Sequence, residues 1–114
     1  MPYRLLALVC FAVLFTGSGG APRQVDVCRL FGAVYEEKNP RFADYRVYIE
    51  ESEAFSDLVV FRQDNRLFAD RPGLWYFSPK RDFADFSVYF DSKRGTADFA
   101  ISYTETESFA GCRP

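Results

Sequence analysis

The chain has 114 residues, 14 basic and 16 acidic side chains, no histidine, and 18% aromatic residues. That is enough for one domain with a modest core, and the aromatic content excludes a disordered chain. A net charge of −2 offers no electrostatic footprint for nucleic acid or an anionic membrane, and the lack of histidine excludes Ser-His-Asp and Cys-His catalysis and His-ligated metals.

In chain order, Met1 to Arg4 is a short basic start, Leu5 to Phe15 an unbroken apolar run, and Thr16 to Ala21 a string of mostly small residues. This is the pattern of a secretory signal peptide over residues 1–21. The apolar run is too short to cross a bilayer, which needs about twenty residues, so no stable membrane insertion is expected after cleavage. Val9 before Cys10 argues against a lipid anchor. Cleavage removes Arg4 and no acidic residue, so the mature chain is one unit more negative. Residues 22–27 read as a flexible lead-in, and residues 28–114 as the domain.

Cleavage also removes Cys10 and leaves Cys28 and Cys112, one on each side of the remaining pattern. An even pair in an exported chain of this size points to a disulfide, and a secreted or periplasmic location follows. Two isolated cysteines without histidine make a poor metal set.

Between the cysteines runs a tandem repeat. Phe42-Ala43-Asp44 recurs as Phe55-Ser56-Asp57, Phe68-Ala69-Asp70, Phe83-Ala84-Asp85 and Thr96-Ala97-Asp98, and ends as Phe109-Ala110-Gly111. The step is thirteen residues except across Arg71-Pro72, where it is fifteen. Three or four positions after each Asp comes an apolar pair: Val47-Tyr48, Val60-Phe61, Trp75-Tyr76, Val88-Tyr89 and Ile101-Ser102, with Val34-Tyr35 as an earlier copy. Alternating β-branched and aromatic residues predict six short strands, and the polar segments between them are too short for capped helices. The fold class is all-β, a single small domain with almost no helix.

The repeated Ala-Asp-x-x-Val-Tyr, Gly73-Leu74-Trp75-Tyr76-Phe77 and the closing Phe109-Ala110-Gly111 resemble the septknot family of short bacterial proteins, over roughly residues 28 to 112. The resemblance implies a compact β domain whose backbone forms a seven-crossing torus knot, and it implies no established activity. Separately, Val34 to Phe42 is similar to the first strands of a βγ-crystallin Greek key, which often binds calcium, although Ala43 stands where a glycine is expected.

If successive copies stack, Asp44, Asp57, Asp70, Asp85 and Asp98 form a row of carboxylates. Such a row is expected to cap turns by accepting from their own backbone N–H groups; calcium binding is the alternative. Tyr35, Tyr48, Phe61, Tyr76 and Tyr89 share the face opposite Val34, Val47, Val60, Trp75 and Val88. They read either as a platform for sugar rings or a partner protein, or as core. The Phe row at Phe42, Phe55, Phe68, Phe83 and Phe109 is expected in the core. No phosphate-cradling glycine loop appears, and no pair stands out among the 16 carboxylates for glycoside hydrolysis. The expectation is a non-catalytic, monomeric exported module without cofactor. It would bind an envelope glycan or protein or serve structurally, and a small periplasmic hydrolase inhibitor is a further alternative.

Overall fold

The computed structural model describes residues 25–112, so the signal-peptide reading lies outside the described residues. Six strands form: β1 Gly32–Glu36, β2 Tyr45–Ile49, β3 Leu58–Arg62, β4 Leu74–Phe77, β5 Phe86–Phe90 and β6 Phe99–Thr104. Each contains one of the six apolar pairs. They close into a barrel in the order β1-β4-β3-β6-β2-β5, and every strand pairing is parallel. The all-parallel sheet rules out the antiparallel Greek key suggested by Val34 to Phe42. Closure leaves no unpaired sheet edge.

Apart from β3 and β4, successive copies are not neighbours, which corrects the expectation of continuous rows. Four of the five links between strands have eight residues, fewer than the dozen or so usual for a parallel crossover. Each of these links nevertheless skips one strand and packs against it: 40–42 lies on β5, 53–55 on β6, 81–83 on β1 and 94–96 on β2. The link from β3 to β4 has eleven residues, because of the insertion at Arg71-Pro72, and joins neighbours. Every link carries a single 3-10 turn, and no α-helix occurs among the described residues. Asn39 and Asn65 cap two of these turns by accepting from the N–H groups of Arg41 and Leu67 at 3.0 and 2.9 Å.

The β3–β4 seam is where the C-terminus enters. These strands pair only at Phe61 with Leu74 and Arg62 with Trp75. Below, Gly111 exchanges two main-chain hydrogen bonds with Val59, at 3.0 and 2.8 Å. The barrel therefore has a seventh slot, filled by the last copy of the repeat reduced to one residue. Gly73 faces it: a Cβ there would lie 2.3 Å from the Gly111 nitrogen, and its φ of +85° is one that L side chains rarely adopt.

Strand alternation fills the interior in layers. Val34, Val47, Val60, Trp75, Val88 and Ile101, all wholly buried, make the middle layer. Tyr45, Leu58, Phe86 and Phe99 pack beneath it, with Val25, Val27, Leu30 and Cys112 against the same core. The packed domain thus begins by Val25, inside the stretch read as a lead-in. Trp75 contacts Phe77 and Phe86 edge-on and donates its indole N–H to the Leu30 carbonyl at 3.1 Å. The Cys28–Cys112 disulfide ties the two flanks together and closes a separation of 84 residues.

Candidate binding surface

The repeated Asp residues do not cap their own turns. Each of four carboxylates accepts the N–H of a residue on the strand that its link has just crossed: Asp44 from Ser87, Asp57 from Ala100, Asp85 from Ala33, all at 2.8 Å, and Asp98 from Arg46 at 2.7 Å. The main-chain N–H of each Asp donates to the carbonyl of that same residue. Each such two-way exchange between one pair of residues has the form of an antiparallel bridge, with a carboxylate oxygen standing in for a main-chain carbonyl. In the last copy of the triplet glycine replaces Asp, and the Gly111 carbonyl takes the same part toward Val59. Asp70, beside the insertion, is exposed and makes no such bond.

This arrangement explains the small residues on the outer face. Ala33, Ser87 and Ala100 are buried where the Asp clasps close over them. The Ser87 hydroxyl lies 3.0 Å from the Asp44 amide, and those of Ser56 and Ser102 lie 2.8 Å apart. Two arginines repeat a second clasp: Arg81 reaches Glu37 and the Phe42 carbonyl, and Arg94 reaches Glu50 and the Phe55 carbonyl. With one carboxylate oxygen engaged in this way, each of these four Asp residues fastens its link to the strand beneath; among the described residues no group of three or more His, Cys, Asp or Glu is placed to hold a metal ion.

Tyr35, Tyr48, Phe61, Tyr76 and Tyr89 lie on the outer face as their alternation with the buried valines requires, and all five are half-buried. Because neighbouring strands other than β3 and β4 come from non-consecutive copies, each ring stands beside a residue such as Ser87, Ala100, Thr104, Ala33 or Arg46, and no two of the five rings are in contact.

The Phe row is the larger correction. Phe42, Phe55, Phe68, Phe83 and Phe109 are exposed by 55–67%, not core, and Leu67 beside Phe68 by 78%. The interior is already filled by strand residues, and each Phe closes a 3-10 turn on the outside of the barrel. Following the strands that the turns overlie, the order round the barrel is Phe83, Phe68, Phe109, Phe55, Thr96 and Phe42. This apolar collar has one polar break, where Arg94-Gly95-Thr96 crosses β2. Its signal was visible as a repeated Phe outside the alternating segments, but a hydrophobic pattern does not say on which side of a closed barrel a link runs.

At the C-terminal ends of the strands the inward positions hold Phe77, Phe90 and Tyr103, all half-buried. Arg62 lies over Phe77 and Tyr103, its guanidinium carbon 4.4 and 5.3 Å from the ring centroids. Burial lifts the Tyr103 phenol above the usual tyrosine range, with Arg62 pulling the other way and Glu36 adding to the lift.

Over residues 27–113 the sequence matches the family model of the 7(1) septoil knot domain. The chain belongs to this septoil knot family. The match runs from the first 3-10 turn through the disulfide, so the six strands, the seventh slot and the clasp all fall within the septoil knot domain. No curated protein and no solved structure matches the chain.

Proposed function

We propose that this septoil knot protein is a non-catalytic exported module that docks a partner protein of the cell envelope or extracellular space through its phenylalanine collar. The observation that carries this reading is the repeated exposure of one large apolar side chain at five of six equivalent turns. Large aromatic side chains exposed at equivalent turns offer apolar surface that a partner protein could cover, and aromatic residues are enriched at such contacts. The collar replaces the Tyr row as the favoured contact, because the Tyr rings are half-buried and separated. Export is supported by the basic-apolar-small N-terminal pattern and by the disulfide.

The test is a triple variant in the sector where the collar is densest, Phe55→Ser, Phe68→Ser and Phe109→Ser. It is expected to keep the fold and to lose cross-linking to envelope proteins in cells; cross-linking equal to that of the wild type overturns the reading. A structural role without a partner is favoured by one observation, the clasp that closes 84 residues over an edgeless barrel. On that reading the oxidised protein resists proteases, the reduced one does not, and the collar variant behaves like the wild type.

A further inference from the structure

Three of the four ion-pairing arginines among the described residues, Arg66, Arg81 and Arg94, pair with acidic groups of distant repeats, and Arg29 pairs within its own turn. Arg62 differs. It occupies the last inward position of β3, above Leu58 and Val60, where alternation places it in the mouth of the barrel. No described carboxylate lies within 4.0 Å of it, and its guanidinium makes no hydrogen bond to the described protein. Phe77 and Tyr103 nevertheless hold it in place. A guanidinium supported by rings in this way keeps its planar fork of N–H donors free for a ligand, with part of the ordering cost already met.

Beside it Phe61, Arg62, Tyr103, Thr104 and Glu105 line an open cavity of about 510 Å³. The cavity straddles the ends of β3 and β6, where Phe61 pairs with Thr104. Its size falls among pockets that take small organic ligands. The chemistry of the walls is mixed in a specific way. The Arg62 fork matches a carboxylate in bidentate geometry. Glu105 disfavours a ligand that is only anionic, but accepts from hydroxyl groups, and Thr104 adds a donor and acceptor. Phe61 and Tyr103 offer apolar ring surface to a C–H face.

We propose that the barrel mouth binds a carboxylated sugar, a hexuronate unit of an acidic glycan, with its carboxylate on Arg62, its hydroxyls on Glu105 and Thr104, and its apolar face against Tyr103 or Phe61. This site is separate from the collar.

The experiment is a calorimetric titration of the oxidised protein with a hexuronate trisaccharide and with the corresponding neutral hexose trisaccharide. Saturable hexuronate binding is expected, at least tenfold tighter than the neutral sugar. Arg62→Gln is expected to weaken it at least tenfold with unchanged thermal stability, and Arg62→Lys, which keeps the charge but loses the fork, to fall between. Arg94→Gln and the triple collar variant should bind as the wild type does. The proposal is overturned if the wild type shows no saturable binding, if the neutral sugar binds equally, or if Arg62→Gln binds as tightly as the wild type. Equal losses in Arg62→Gln and Arg94→Gln overturn it too, by showing general charge attraction.

Discussion

The two ends of the barrel are built from the same repeat and finish differently. At the N-terminal end of the strands, Tyr45, Leu58, Phe86 and Phe99 share the core with Val27, Leu30 and Cys112, residues contributed by the flanks of the repeat array. The disulfide holds both flanks there, and Gly111 fills the seventh slot. At the C-terminal end no flanking segment arrives among the described residues. Phe77, Phe90 and Tyr103 stay half-buried, an exposed Arg62 lies over Phe77 and Tyr103, and Ile49 is 41% exposed. Both ends of the described chain gather on one side, so that side carries stability and the other is left to carry binding chemistry.

The largest effect is expected from opening the closed end. Replacing both cysteines by serine releases an 84-residue closure and should lower stability by about 4 to 5 kcal/mol on the chain-entropy model, read from denaturant midpoints. A loss below 1 kcal/mol would mean that the flanks stay docked without the bond. Trp75→Ala removes the largest wholly buried side chain and the indole bond to Leu30, and should cost about 3 to 5 kcal/mol in the same measurement.

Gly73→Ala acts on the seventh slot alone. Its Cβ meets the Gly111 nitrogen and the Val59 carbonyl, and a loss of about 1 to 3 kcal/mol is expected, with faster hydrogen exchange at the Val59 and Gly111 amides. Unchanged exchange there would show that β3 and β4 close without the C-terminal segment.

The smallest effect belongs to the open end. The Tyr103 phenol titrates higher in the folded protein than in the unfolded chain. Its contribution is full below about pH 10 and is lost as pH rises through the folded value, because the unfolded state gives up its proton first. Tyr103→Phe should therefore flatten the alkaline fall in stability and leave the neutral value nearly unchanged; an identical alkaline slope in the variant would place the cause elsewhere.

Much of the molecule was legible from residue order. The alternation in Phe86 to Asp91 and in Phe99 to Thr104 placed β5 and β6 and separated Val88 and Ile101 from Tyr89 and Ser102, because side chains on a strand point to opposite faces with a period of two. The parity of the cysteines identified Cys28 and Cys112 as partners. The repeat itself gave six equivalent strands and marked the insertion at Arg71-Pro72.

Only the tertiary structure decided which strands are neighbours, and several roles followed from that. Period-two alternation is blind to pairing partners, and an eight-residue link can pass over a strand as readily as a turn can fold back. Once four of the five links skip a strand, Asp44 and Asp98 serve residues on strands distant in sequence instead of their own turns. The same winding carries the Phe-bearing turns to the outside and brings the ends of β3 and β6, about forty residues apart, together round Arg62. Sequence thus determined what each copy is; the path of the links between copies determined what each repeated residue does.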